Sequence, residues 1–186
     1  MRIKSENSKV STLSAAQLHW QVRERKLSLW MHAATSRPWI VTWMTVVSRI
    51  GDGWTWFIVL AFLPWVGGTH GSAAAVRLFA VGAIDLILYK IIKRWIARPR
   101  PFKVWDDVFE RVRSLDEYSF PSGHTLHAVA CSLVLTVYYP MTAPLLWPLV
   151  VLIAVSRVVL GLHYPSDVVA GAVIGVLVAG LSFNIL

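Results

Sequence analysis

The chain has 186 residues, of which 56% are hydrophobic and 15% charged, with a formal net charge of +8. A soluble domain seldom carries so little charge, and ten tryptophans suit anchoring at membrane–water interfaces better than packing a soluble core. The positive charge comes with no basic helix and no aromatic RNA-binding motif, which argues against nucleic acid and for anionic lipid headgroups or phosphate groups.

In chain order, residues 1–37 read as a basic N-terminal tail carrying Arg2, Lys4, Lys9, Arg23, Arg25 and Lys26, with no apolar core of a cleavable signal peptide behind them. Residues 38–186 read as a single membrane domain. The run 38–50 is too short to span a bilayer. Trp39, Trp43, Val46 and Val47 share one helical face there, which predicts an interfacial helix. Gly51-Asp52-Gly53 is a break. Apolar runs then follow at 54–67, 73–92, 124–139, 144–162 and 168–186. The expected fold is an all-α integral membrane helical bundle of five to six transmembrane helices, a sixth span being available only across Arg37-Pro38. Gly171, Gly175 and Ala179, four residues apart, predict a close-packing face on the last helix. The lone Cys131 lies inside an apolar run, so no disulfide framework is expected.

The one long connection, 93–123, starts Lys93-Arg-Trp-Ile-Ala-Arg-Pro-Arg100-Pro101 and ends Phe120-Pro-Ser-Gly-His124. Between them, Val104, Val108, Val112 and Leu115 fall on one helical face, and Asp107 and Arg111 are four apart. This predicts an amphipathic helix over 104–115. The fourth run ends in Ser156-Arg157 and His163-Tyr-Pro-Ser-Asp167, ionisable groups that a membrane segment retains only at a cost. Pro165 breaks the helix, Ser166 is placed to cap the next one, and His163 and Asp167 meet across the turn. Because successive spans alternate direction, Lys93, His124, Arg157, His163 and Asp167 all emerge on one membrane face.

Lys93, Arg100 and Arg157 repel one another unless an anion lies between them, and a phosphate dianion answers that need. Ser122 and Gly123 open a helix whose N-terminal N–H groups favour an anion. His163, held by Asp167, is the candidate nucleophile, and His124 the candidate general acid. No carboxylate cluster has metal-ligand spacing, so no metal and no cofactor is expected. Asp85, about two turns before Lys93, has that lysine or another span as its partner, and His127 is read as packing or pocket polarity. Arg98 is read as a surface or headgroup contact.

Lys93-x6-Arg100-Pro101, Pro121-Ser122-Gly123-His124 and Ser156-Arg157-x5-His163-x3-Asp167 together resemble the three-part signature of the type 2 phosphatidic acid phosphatase family. The resemblance covers roughly residues 49–185 and implies the helical fold shared with vanadium haloperoxidases. It also implies a lipid phosphatase acting through a phosphohistidine. In a bacterial cell membrane the expected substrates are phosphatidate, phosphatidylglycerol phosphate or undecaprenyl diphosphate, with membrane lipids as the other partners. The competing readings are a lipid-phosphate-binding protein without turnover and a vanadate-dependent oxidase. The Lys and Arg distribution favours a site on the cytoplasmic face, with the N-terminus on the same side.

Overall fold

The computed structural model describes residues 15–114 and 116–185, with side chains from Leu18 onward. Among the described residues every regular element is helical: α1 (Ala15–His32), α2 (Pro38–Ile50), α3 (Gly53–Ile96), α4 (Gly123–Tyr138), α5 (Ala143–Val159) and α6 (Pro165–Ile185). Short 3-10 turns at Ala33–Ser36 and Pro140–Thr142 and a single α-turn at Pro101–Val104 complete the connections.

The apolar runs of the sequence become these helices with little change. The first two are the arms of α3, which reverses at Gly68 (φ 56°, ψ −134°), a left-handed backbone that glycine adopts without a Cβ clash. Past the reversal the arms lie against each other: a Cβ on Gly71 would stand 2.0 Å from the carbonyl oxygen of Leu63. α4 runs through the middle of the bundle, with Leu126, Ala128, Ala130 and Val134 fully buried. α6 packs on it through the expected small-residue face. A Cβ added to Gly171 would meet the Ser122 carbonyl oxygen at 2.6 Å, and one added to Gly175 the Leu126 carbonyl oxygen at 2.6 Å. The outer surface is the reverse of a soluble protein's, with Phe57, Phe62, Phe79, Val151 and Val173 exposed. Pro140–Val159 and Pro165–Ile185 are long and apolar enough to cross a membrane, and Gly123–Tyr138 is a shorter apolar helix.

On α2, Trp39, Trp43 and Val46 are exposed, while Val47, expected on the same face, is buried with Ser48. The chain just before α2 is tethered where Arg111 Nε donates to Thr35 Oγ1 (3.2 Å), and its C-terminal turn where Arg157 donates to the Ser48 hydroxyl. Arg111 and Arg157 both belong to the end of the bundle that carries the long connection, so α2 begins and finishes at that end.

Two expectations are corrected. The segment expected as a basic tail holds a docked helix from Ala15, whereas Arg2, Lys4 and Lys9 lie outside the described residues. Its buried stripe is polar: Glu24, Ser28 and His32, continued by Thr35. His32 Nδ1–H donates to Val159 O (2.9 Å) and its Nε2 accepts from the Phe109 N–H (3.1 Å). Burial first, then Arg111, hold its pKa below the ordinary histidine value against the pull of the Val159 carbonyl, in keeping with the neutral tautomer these bonds require. The amphipathic helix over 104–115 is likewise absent; only Pro101–Val104 turns once, and irregular chain follows. α1 overrides the local pattern, since His32 takes the Phe109 N–H, Arg25 pairs with Asp107 (3.2 Å) and Thr35 engages Arg111. The expected Asp107–Arg111 pair therefore does not form, and Leu115 lies outside the described residues.

Overpacking the α4–α6 contact tests this arrangement. Gly175→Val is expected to destabilise the detergent-solubilised protein by roughly 1–3 kcal/mol, as forced core insertions do. Gly180→Ala, where an added Cβ meets nothing within 4 Å, is expected to leave the thermal midpoint unchanged or slightly raised.

Candidate active site

The site is built on the turn between α5 and α6. Gly161 (φ 75°) carries the chain out of α5, and the N–H groups of Leu162 and His163 both donate back to the Arg157 carbonyl (3.0 and 3.1 Å). That fold-back holds His163 beside the last turn that presents Arg157. Pro165 is the first residue of α6, a position where its missing N–H costs nothing. Ser166 thus lies inside the first turn and does not cap it. Its hydroxyl donates to Glu24 and accepts from Arg98 Nη1 (2.7 Å). Asp167 Oδ2 accepts the Tyr164 N–H (2.9 Å) and stands 3.6 Å from His163 Nδ1. That second distance is too long for a hydrogen bond, and Nδ1 has no other partner.

The three predicted cations converge. Arg100, 1% exposed, donates from Nη1 to Leu162 O (2.7 Å), and the same nitrogen is 3.5 Å from His163 Nε2. Arg157 is buried with its Nε unpartnered. Lys93 donates to Tyr118 O (2.8 Å) and to Asp116 Oδ1 (2.7 Å), the atom that also accepts from Arg100 Nη2 (2.6 Å). Asp116 is thus the counter-ion of two of the three. Burial pushes its carboxyl up, but Lys93 and Arg100 together outweigh that and hold it below the ordinary carboxylate range.

At the start of α4 the expected anion-binding pair divides. Gly123 lines the cavity. The Ser122 N–H is not free, since it donates to Asp167 O (3.0 Å), and its hydroxyl pairs with Thr125 Oγ1 (3.0 Å). Ser122 therefore ties the second motif to the third. His124 Nε2 and Asp52 Oδ1 are 2.7 Å apart.

Several participants lie outside the motifs. Arg98 reaches Asp167 Oδ1 (2.7 Å) and Glu24 Oε2 (2.7 Å), with its guanidinium 3.7 Å above the Tyr164 ring. Asp85 faces His127 (Nδ1 to Oδ2, 3.3 Å) and not Lys93. Asp52 and Asp116 carried no signal beyond a turn and a loop acid, and Glu24 none at all. Among the described residues no group of three or more His, Cys, Asp or Glu side chains could hold a metal ion.

Lys93, Arg100, Arg157, His124 and His163 surround one cavity of about 200 Å³, with Asp52, Asp116 and Gly123 also in its wall. A second cavity of about 360 Å³ lies between the arms of α3, lined by apolar side chains such as Trp56, Phe57, Leu60 and Phe79. Gly53, Leu86 and His127 border both. His163 is held well below the ordinary histidine pKa by burial, then by Arg157, Arg100, Lys93 and His124.

His163, His124 and three cations thus surround one cavity at the end of an all-α bundle. The chain belongs to the PAP2 superfamily, whose family profile matches residues 74–186. It is 34% identical over 142 residues to a decaprenylphosphoryl-5-phosphoribose phosphatase of Mycolicibacterium smegmatis, covering 75% of each chain. It is 29% identical over 143 residues to an undecaprenyl-diphosphatase of Sulfolobus acidocaldarius, covering 76% of this chain and 68% of that one. In fold it is similar to the crystal structure of a transmembrane PAP2-type phosphatidylglycerolphosphate phosphatase from Bacillus subtilis (TM-score 0.75, 24% identity, 95% and 89% of the two chains).

Removing Asp116 leaves Lys93 and Arg100 buried without their carboxylate. Asp116→Ala is expected to lower the thermal midpoint by on the order of 5 °C, a partly exposed pair's share of the cost of breaking a buried one. Inorganic phosphate should raise the variant's midpoint more than the wild type's. Because the native carboxyl is held low, the stabilisation is present above the unfolded pKa of about 4. It is lost as pH falls from there through the native value, so wild type and variant should converge in acid.

Proposed function

We propose that the chain is a membrane lipid phosphatase, with residues 38–186 as the phosphatase domain, α1 docked on it, and a phosphohistidine intermediate on His163. The observation that carries the reading is the pair of adjoining cavities: one ringed by cations and histidines, the other apolar, meeting at Gly53, Leu86 and His127. A phosphate seated among Lys93, Arg100 and Arg157 leaves its lipid tail facing the space between the arms of α3. The relatives named above act on decaprenyl and undecaprenyl lipids, and prenyl phosphates or diphosphates and phosphatidylglycerol phosphate all have that form.

In the reaction so proposed, the lone pair of His163 Nε2 attacks phosphorus. The bond to the leaving oxygen breaks with its electron pair, and His124 delivers the proton that makes the alcohol or lipid monophosphate. Water then loses a proton to His124 and attacks the phosphoryl group, and the P–N pair returns to His163. Asp167 steadies the imidazole on its Nδ1 side. The buried, unpartnered Nε of Arg157 and the fixed donors of Lys93, Arg100 and Gly123 meet the charge that builds on the equatorial oxygens. No step needs a metal. The test is phosphate release from a panel of lipid monophosphates and diphosphates by purified protein in EDTA. Turnover of at least one is expected, with His163→Asn abolishing it; activity that needs Mg²⁺, or an active His163→Asn, overturns the scheme.

Five spans fit best: the two arms of α3, then α4, α5 and α6, with α2 lying in the interface at the site's end. Eight Lys and Arg residues precede Gly53 and eight more lie between Lys90 and Arg113. Glu24, His32, Ser48 and Asp52 all bond to groups at the site's end, which supports placing the basic N-terminal segment on the same face. Positive residues near span ends favour the cytoplasm, so the site is assigned to the cytoplasmic face. In a Cys131→Ser background, single cysteines at His19 and Ser114 should both be protected from a membrane-impermeant maleimide in intact bacterial cells. Labelling of either would reject this orientation.

A further inference from the structure

We propose that Asp52 is the positioning residue of His124, so that the site works with two histidine–carboxylate dyads. The inference rests on the phosphatase reading and adds a residue to it. Asp52 stands in the short Gly51-Asp52-Gly53 turn between α2 and α3, outside the 74–186 segment matched by the family profile. Its Oδ1 is 2.7 Å from His124 Nε2, a charge-assisted distance when the ring is protonated. Both residues border the cation-ringed cavity. The turn itself is fixed: Gly51 N–H donates to Ser48 O (3.1 Å), Asp52 N–H to Arg49 O (3.0 Å), and a Cβ on Gly51 would meet Ile153 at 2.8 Å.

The chemistry of a general acid explains why a carboxylate belongs there. His124 must hold a proton at a cavity that Lys93, Arg100 and Arg157 also line. Asp52 supplies the compensating charge and fixes the ring through Nε2, leaving Nδ1–H as the proton to give. When the P–O bond breaks, that proton passes to the leaving oxygen and the ring becomes neutral, with Nε2–H still held by Asp52. In hydrolysis Nδ1 recovers a proton from the attacking water. The two dyads use opposite nitrogens: Asp167 stands on the Nδ1 side of His163, and Asp52 takes Nε2 of His124.

The test compares Asp52→Asn with wild type on dioctanoyl phosphatidate, whose alcohol leaves poorly, and on p-nitrophenyl phosphate, whose phenolate needs little protonation. The variant is expected to lose about 100-fold in kcat on phosphatidate, the usual scale for an acid catalyst, and under about 5-fold on the aryl ester. Asp52→Glu should recover part of the loss. In a His124→Ala background Asp52→Asn should cost nothing further, because the two act as one unit. Equal losses on both substrates, no loss on either, or an additive loss in that background overturns the dyad. Should Asp52→Asn fail to accumulate, Asp52→Glu must show the same bias toward the poor leaving group at smaller amplitude, or the dyad falls. A wild type inactive on both esters and on every lipid of the panel removes the phosphatase reading itself, and the dyad with it.

Discussion

Three cations buried side by side repel one another, and taking them out of water costs several kcal/mol each unless anions are at hand. Lys93, Arg100 and Arg157 impose that constraint here, and much of the polar architecture answers it. Asp116 bridges two of them. Arg157 leans on the Ser48 hydroxyl and keeps one nitrogen without a partner. Burial and the same concentration of positive charge hold the His163 imidazole well below its ordinary pKa, so in the proposed reaction the groups that would receive a phosphate also favour a free lone pair on the attacking nitrogen.

The helical frame was legible because it rests on two robust signals: apolar runs of near-span length, and motif residues at their ends. Alternating direction of successive runs is enough to place Lys93, His124, Arg157, His163 and Asp167 at one end. The glycine face of α6 was legible for a similar reason, since four-residue spacing of Gly171, Gly175 and Ala179 leaves little other use for it.

What could not be read was the polar tertiary structure that closes the site. α1 hides because its stripe is inverted: Glu24, Ser28 and His32 face inward while Trp20, Leu27 and Trp30 face out, so a search for an apolar inner face passes it by. The helix expected over 104–115 had correct periodicity, yet lost to specific bonds from α1 that no local pattern encodes. Asp116 and Asp52 are single acids in short irregular stretches, and their partners stand 23 and 72 residues further along or back in the chain. Arg98 looked like one more interfacial cation. Its stacking on Tyr164 and its bond to Asp167 depend on a turn that exists only after folding.

The bonds between α1 and the third motif also set an order of events during synthesis. Glu24 meets Ser166 across 142 residues, and His32 meets Val159 across 127. The first helix leaves the ribosome long before its docking surface does, and that surface waits on the α5–α6 turn and the insertion of α6. Until then Asp167 has no place against Arg98, and Ser122 has no Asp167 carbonyl to hold the start of α4. A chain lacking only its last helix therefore lacks the contacts that join α1, the long connection and the start of α4 to the α5–α6 turn.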